Sequence, residues 1–552
     1  MVRFFDASLR RINEIGQEKQ GGKAVKTIDR LKSEFSSGRI SRRRFMEGAS
    51  ALGLGVIGAN AFASQVLAAT PKRGGRLRIG MSGGNTKDTL FGVFGLGGPH
   101  QVCVQWQLLN NLTEVNGNGE LVGELAESWE ASPDATQWVF KLRRGVEFHN
   151  GKMLEAQDVI ESINAHRGED TKSTGKGLVA SVTDIKADGK DTVVFTLAAG
   201  NADFPFTLSD YHFPIAPAGT TEADWVKGVG TGPFTLVEWE PGVRAITKRN
   251  PNYFKDGPYF DAVETLHVAD TTARISTILT GAADVIDKPD TKTLHLLEQM
   301  SGMRIIELAG NTHYTFPMLM DQAPYDNADV RNAMKYAIDR QAIVNTILNG
   351  HGYPGNDHPI SRAMRYYASD LPQREYDPDK ARYHLKKAGL SSLDVELFAA
   401  DIYTGGTDAA VLFKEHAAKA GININVRGVP TDGYWTDVWN VKPLCVSYWA
   451  GRPSEDLMLT LAFSNQSAWN ETHWDNERFE KVLLEARAEQ DEAKRREMYG
   501  ELQRLIRDEG GLIAPVFANT ITVTTDKVGT PDQISPAFAM DGLKGPERWW
   551  FA

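Results

Sequence analysis

Residues 125–151 read LAESWEASPDATQWVFKLRRGVEFHNG, and the order of apolar and polar positions in this stretch decides the class of the chain. Trp138, Phe140 and Leu142 alternate with Val139 and Lys141, the period of a strand with one buried face. Gly145 and Gly151 stand where turn residues are needed, and Trp129, Trp138 and Phe148 are candidates for core. The same alternation returns at Val193, Phe195 and Leu197. Thr231-Gly232-Pro233-Phe234 reads as a turn entering a strand, and Pro241-Gly242 as another turn. Upstream, residues 75–80 (GRLRIG) predict a short strand, followed by a Gly/Ser/Asn loop from Met81 to Thr89.

The pattern changes after Tyr314. Val330, Met334, Ala337 and Ile338 recur at helical spacing, with Gly350 as a stop. Asp377-Pro378 opens a helix carrying Ala381, Leu385 and Ala388 that ends at Gly389. Another runs from Val411 to Ala420 before Gly421, and Ile422 to Val426 then alternates as a strand. Phe479, Val482, Leu483 and Ala486 mark one long helix; Met498, Leu502 and Leu505 mark the next. A strand-rich first part followed by helix–strand alternation predicts an α/β protein of more than one domain, in keeping with 552 residues.

The N-terminal region raises a separate question. Gly53-Leu54-Gly55-Val56-Ile57-Gly58 fits the G-x-G-x-x-G dinucleotide pattern. That pattern needs a preceding strand and an acidic residue about 20 positions on, and no Asp or Glu occurs between Glu47 and Asp88. Arg42-Arg43-Arg44 followed by a modestly apolar run and Ala61-Phe62-Ala63 reads instead as an export signal, cut after Ala63 or Ala68. Ser41-Arg42-Arg43-Arg44-Phe45-Met46 resembles the twin-arginine export motif, with Met46-Glu47 where that motif has Leu-Lys. Neither cut leaves a leading Cys, so a lipid anchor is not expected. Residues 1–47 carry 12 Lys/Arg against 6 Asp/Glu, so a chain of net charge −10 leaves a body near −16. That charge argues against nucleic acid or an anionic membrane as partner. Cys103 and Cys445, far apart in apolar context, are expected to be buried free thiols, although two cysteines in an oxidising compartment permit a disulfide.

Most enzyme signatures are missing. There is no phosphate-binding G-x-x-x-x-G-K-[ST], no H-E-x-x-H and no C-x-x-C, and His149, His212, His313, His358 and His473 lack ligand spacing. Four blocks carry a resemblance instead. They are residues 125–151 with Ala156-Gln157-Asp158-Val159; Gly230-Thr231-Gly232-Pro233-Phe234 with residues 249–254 (RNPNYF); residues 330–340 (VRNAMKYAIDR); and residues 376–381 (YDPDKA) through Gly389. In order and content they resemble the family 5 extracellular solute-binding proteins, the peptide/nickel/opine group of ABC importers. The resemblance implies an α/β, two-lobed periplasmic flytrap with an extra strand-rich subdomain in the first lobe. The expected layout is leader and signal at 1–68, lobe I at 69–312 plus 518–552, and lobe II at 313–517. It implies hinge closure over a solute, delivery to an ABC permease and its ATPase subunits, a monomer in the periplasm, and neither catalysis, cofactor nor metal.

The candidate site begins at residues 446–453 (VSYWAGRP). Gly451 would let ligand approach the backbone, and Tyr448 and Trp449 would give flat apolar walls. In peptide-binding relatives a carboxylate just after this Trp-x-Gly takes the peptide's amino terminus, whereas here Arg452 holds the position. A guanidinium fork suits a carboxylate or phosphate and repels an ammonium. Glu455 or Asp456 could take over the amino-terminal role or simply pair with Arg452. Asn85 and Thr86, His313 and Tyr314, Tyr434 and Trp435, and Trp469 with Asn470 complete the candidate set. The expected cargo is a short peptide or a peptide-like solute bearing a carboxylate. An opine, a sugar conjugate or a chelated metal on the same scaffold is the alternative, and a secreted hydrolase the reading from another class.

Overall fold

A computed structural model describes residues 71–90, 98–403, 405–431, 433–452 and 454–552. The export-signal reading, Gly53–Gly58 and Pro453 lie outside the described residues.

Three main sheets organise the chain. The strand expected near residues 75–80 forms at Arg76–Met81 and is the centre of a seven-stranded sheet. It pairs in parallel with Ala262–His267 on one edge and Val285–Asp287 on the other, and Leu77, Ile79 and Met81 are buried. Antiparallel strands extend the sheet to Phe234–Glu240 on one side and through Thr520–Thr525 to Met303–Leu308 on the other. The C-terminal part of the chain therefore returns to the sheet where the chain began.

The opening stretch folds into a four-stranded antiparallel sheet, in order Ala126–Ala131, Gln137–Leu142, Thr192–Leu197, Val182–Ala187. The alternation read from sequence is the alternation of burial: Trp138, Phe140 and Leu142 point inward, as do Val193, Phe195 and Leu197. Phe140 meets Phe195 edge-on at 5.5 Å between ring centres, a geometry worth about 0.5–1.5 kcal/mol beyond area burial. Gly145 and Gly151 adopt φ of 78° and 87°, a region L side chains disfavour, which is why glycine closes these turns.

The second body lies between residues 313 and 518. Its antiparallel sheet runs Gly352–Pro354, Leu512–Ala518, His313–Pro317, Ser447–Trp449, and a parallel pair, Leu393–Ala399 with Ile422–Gly428, joins it through Phe398 and Cys445. The predicted helices are present at Ala328–Tyr336, Pro378–Lys387, Gly406–Ala418, Glu477–Ala488 and Glu492–Glu509. The run expected from Val330 towards Gly350 divides in two, because Asp339 caps a new helix, Arg340–Thr346, by accepting from the Ala342 N–H at 2.9 Å.

The block at residues 330–340 has a structural explanation. Arg331 and Lys335 reach the end of the Glu492–Glu509 helix, where Arg331 donates to Glu509 O at 2.8 Å and Lys335 to Arg507 O and Gly510 O at 2.8 and 2.7 Å. Carbonyls at a helix C-terminus lack intrahelical donors, and cations satisfy them. Arg340 completes a buried ion group with Asp357 at 2.7 Å, and Arg374 reaches the same carboxylate at 2.8 Å. Both cysteines are buried and unpaired, as expected for free thiols. Among the described residues no helix is long and apolar enough to cross a membrane.

Candidate functional site

A cavity of about 660 Å³ separates the two bodies, a size suited to a small organic solute. Three segments wall it. The N-terminal body contributes Trp106, Glu114 and, from the C-terminal stretch, residues 535–538, Asp541 and Lys544; the four-stranded subdomain contributes Asp203, Phe206 and residues 209–212; Asn311 stands at the chain crossing; and the second body contributes residues 363–365, residues 450–452, Ser454, Glu455, Leu457 and Trp469.

Direct contacts draw the subdomain onto the second body at the cavity's edge. Arg495 pairs with Asp203 at 2.5 Å with both side chains almost wholly buried. The Ala202 N–H donates to Arg487 O at 2.7 Å, and Gln490 donates to the carbonyls of Ser132 and Pro133 at 3.0 Å. The two bodies thus touch through these contacts and are joined by chain crossings near residues 309–312 and 519.

Of the residues expected at a site, Gly451, Arg452 and Trp469 line this cavity. Gly451 packs against Asn311 so closely that a Cβ would stand 2.5 Å from that side chain, so glycine is required for the approach. Arg452 donates to the carbonyls of Ala450 and Gly451 at 3.1 and 3.3 Å and lies over the Trp449 ring at 5.5 Å. It makes no ion pair with any described residue. Burial pushes its guanidinium below the usual arginine range, against the opposing pull of Asp210 and Tyr211. The pairing with Glu455 or Asp456 weighed from sequence does not form. Asp456 is engaged by Arg487 at 2.9 Å, and Glu455 accepts from the Tyr366 N–H at 2.6 Å. Burial raises Glu455 to about 7, so it is a weak carrier of negative charge near neutrality.

The remaining candidates stand behind or apart from the wall. Trp449 is buried beneath Arg452, with Trp439 and Trp469 at 6.4 and 6.1 Å on either side. Tyr448 contacts Tyr403 and Trp435 edge-on, and Tyr314 stacks on Tyr403 at 3.9 Å. Tyr434 is a core residue whose hydroxyl donates to Val446 O at 2.7 Å, while Trp435 is exposed outside the cavity lining. Asn470 is turned inward and donates to Trp474 O at 2.7 Å. His313 is buried against Phe517, and burial lowers it to about 4, which leaves it neutral. Asn85 and Thr86 sit on the 82–90 loop, folded against Gly242, whose Cβ position lies 2.6 Å from their backbone; they do not line the cavity.

Three features escaped the sequence reading. The first is the 209–212 loop (SDYH), fixed by Asn111 Nδ2 donating to Asp210 O at 2.6 Å and Gln105 Nε2 donating to Tyr211 O at 2.5 Å. The second is Glu471, buried beneath Trp439, whose Nε1–H donates to it at 3.0 Å. The third is a buried charge group in which Lys544 bridges Glu114 and Glu124 at 2.6 Å each, Lys255 reaches Glu114 at 2.7 Å and Glu547 at 3.2 Å, and Arg548 reaches Glu114 at 3.0 Å. Glu114, Glu124 and Glu547 approach closely enough to suggest a metal site, but the Lys544 and Lys255 ammonium groups already pair with all three carboxylates. Residues 80–84 (GMSGG) fit the G-x-S-x-G pattern of hydrolases, but the Ser82 hydroxyl donates to Asp287 Oδ2 at 2.7 Å, with no histidine bonded to it, away from the cavity.

Comparison with known proteins gives this architecture a family. The profile of the bacterial extracellular solute-binding proteins, family 5 (middle), matches residues 120–471. The dipeptide-binding protein of Escherichia coli K12 is 26% identical over 439 residues, covering 73% of this chain and 82% of its own. The Helicobacter pylori periplasmic binding protein DppA, solved with the peptide STSA, superposes with a TM-score of 0.73 at 20% identity over 87% of this chain and 98% of its own. AgaA from A. tumefacien R10, solved with agropinic acid, gives a TM-score of 0.73 at 24% identity over 87% and 99%. The fold is the two-lobed one expected, and the chain belongs to the family 5 bacterial extracellular solute-binding proteins.

Proposed function

We propose that this chain is the periplasmic binding component of an ABC importer, and that it captures a short peptide, or a peptide-like solute bearing a carboxylate, between lobes spanning 69–312 with 518–552 and 313–517. The observation that carries the cargo class is Arg452: a desolvated guanidinium in the wall of an interlobe cavity with no ion-pair partner among the described residues. A cation held this way costs stability unless a bound anion compensates it. Relatives named for dipeptides and a neighbour solved with a peptide support the peptide reading; a neighbour solved with agropinic acid supports an opine as the second candidate. Trp469 and Phe206, both in the cavity lining, supply apolar faces for the body of either solute.

Closure over the solute is the transport signal. Ligand touching both lobes favours the closed form by its differential affinity for it, and the permease and its ATPase subunits read the closed form. The role is binding, not catalysis. In this reading the chain works in the periplasm as a monomer, with its leader cut after Ala63 or Ala68 following twin-arginine export and without a lipid anchor.

Melting the purified protein with pools of dipeptides, opines, sugars and nickel chelates tests the cargo class. A specific ligand at 100 times its dissociation constant adds about 2.7 kcal/mol, readily seen as a melting shift. Shifts confined to the peptide or opine pool support the reading. A shift with sugars or nickel chelates alone overturns it.

A further inference from the structure

Resting on the peptide reading above, we propose that Asp210 is a second anchor, taking the cationic end of a zwitterionic solute whose anionic end is held by Arg452 in the same cavity.

Accounting for the charges around the cavity leads to this pair. Among the described acidic groups, Glu114 is held by Lys544, Lys255 and Arg548, and Asp203 is sealed against Arg495. Asp541 accepts from Arg548 at 3.1 Å and from the Ser535 N–H at 2.8 Å. Glu455 is raised by burial to about 7 and accepts from the Tyr366 N–H. Among the bases, Arg365 is engaged by Glu492, and Lys544 by two glutamates. Two side chains are left with no Lys, Arg, Asp or Glu partner: Arg452, and Asp210, which pairs only with His212, its Oδ1 accepting from the His212 backbone N–H at 3.0 Å and meeting His212 Nδ1 at 2.5 Å, while Oδ2 takes no hydrogen bond from a described residue.

They line one cavity from different parts of the fold, Asp210 from the subdomain and Arg452 from the second body. Each is held rigidly, Asp210 through Asn111 and Arg452 through its own loop carbonyls and the Trp449 ring. They stand beyond 4.0 Å, too far for a direct ion pair, yet Asp210 and Tyr211 are the groups that counter the desolvation of Arg452. An α-amino acid derivative or short peptide fits such a gap, with carboxylate on the guanidinium fork and ammonium on the free carboxylate oxygen. Spanning the two walls, it would also tie the subdomain to the second body. The polarity is the reverse of one in which the second body receives the amino terminus.

Modifying the ends of the ligand tests this without disturbing the fold. The dipeptide giving the largest melting shift is titrated calorimetrically against the wild-type protein as free, N-acetylated and C-amidated forms, then against Asp210→Asn and Arg452→Gln. N-acetylation is expected to weaken wild-type binding at least about tenfold but Asp210→Asn binding less than about twofold, since that variant has already lost the charge. Amidation is expected to behave likewise with Arg452→Gln. N-acetyl dipeptides binding wild type as tightly as free ones overturns the second anchor and leaves the cargo class standing. So does an acetylation penalty that survives in Asp210→Asn. If no dipeptide of any form shifts the melt, the cargo class falls and the anchor falls with it.

Discussion

Two groups of charge border the same cavity and are treated in opposite ways. On one side Glu114, Glu124 and Glu547 are knitted to Lys255, Lys544 and Arg548, each acid facing at least one base. On the other Arg452 touches only the carbonyls of its own loop and an indole face. Both are desolvated, so both carry the cost of removing charge from water. The first group recovers it internally and ties residues 114, 124 and 255 to the C-terminal segment near 544–548. In the proposed reading the second recovers it when an anion arrives, so that paired charge holds the frame and unpaired charge is kept for cargo.

That contrast can be broken most forcefully at Glu124, which accepts from Lys544, Asn110 Nδ2 and the Asn111 N–H at 2.6, 2.8 and 2.8 Å. Glu124→Gln leaves a buried ammonium short of its counter-charge, and urea unfolding is expected to show a loss of about 3–5 kcal/mol. A loss under about 1 kcal/mol would mean that the group does not hold the frame.

Glu455 sharpens the contrast through pH. Burial is the main cause of its rise to about 7, helped by Asp203 and opposed by the Tyr366 N–H. A carboxyl whose folded pKa lies above its unfolded value gives full stability below the unfolded value and loses it as pH climbs through the folded one. Between pH 5 and pH 8 the wild type is therefore expected to lose more stability than Glu455→Gln, by on the order of 3 kcal/mol. Equal slopes for the two proteins would remove Glu455 from the account.

At Arg452 the expected signs separate. Arg452→Gln is expected to leave stability without ligand within about 0.5 kcal/mol or raise it, because an uncompensated charge is gone. Binding of a carboxylate solute should weaken by about 1.5–3 kcal/mol, the value of a hydrogen bond to a charged group. Calorimetry checks the second figure and urea unfolding the first. The smallest effect is expected at Trp435, exposed outside the cavity, where Trp435→Ala should change ligand affinity by no more than about 0.5 kcal/mol.

How much of this could be read from residues follows from the range of the interactions involved. The strands at 137–142 and 192–197 and the helix at 378–387 are set by local period, a cap and a closing glycine, all visible in a short window. Gly451 and Arg452 could be placed near a cavity because the apolar run before them reads as a buried strand, which forms at Ser447–Trp449, whereas Tyr448 and Trp449, expected as flat walls, do not line it. Asp210 could not, because its place in the cavity with Arg452 depends on a loop pinned by Gln105 and Asn111, about 100 positions away. Tyr314 and Tyr434 illustrate the converse. An aromatic beside a chain crossing or a loop looks available to ligand in sequence, yet each is absorbed by stacking or core contacts that only the folded second body supplies.

The central claim is that Arg452 exists for an anion carried by the solute. Mass spectrometry of small molecules released from the wild-type protein and from Arg452→Gln, both isolated from the native host, tests it most directly. A species bearing a carboxylate, abundant on the wild type and depleted on the variant, is the predicted result. The same species on both proteins in equal amount, or a bound solute with no anionic group, would contradict it.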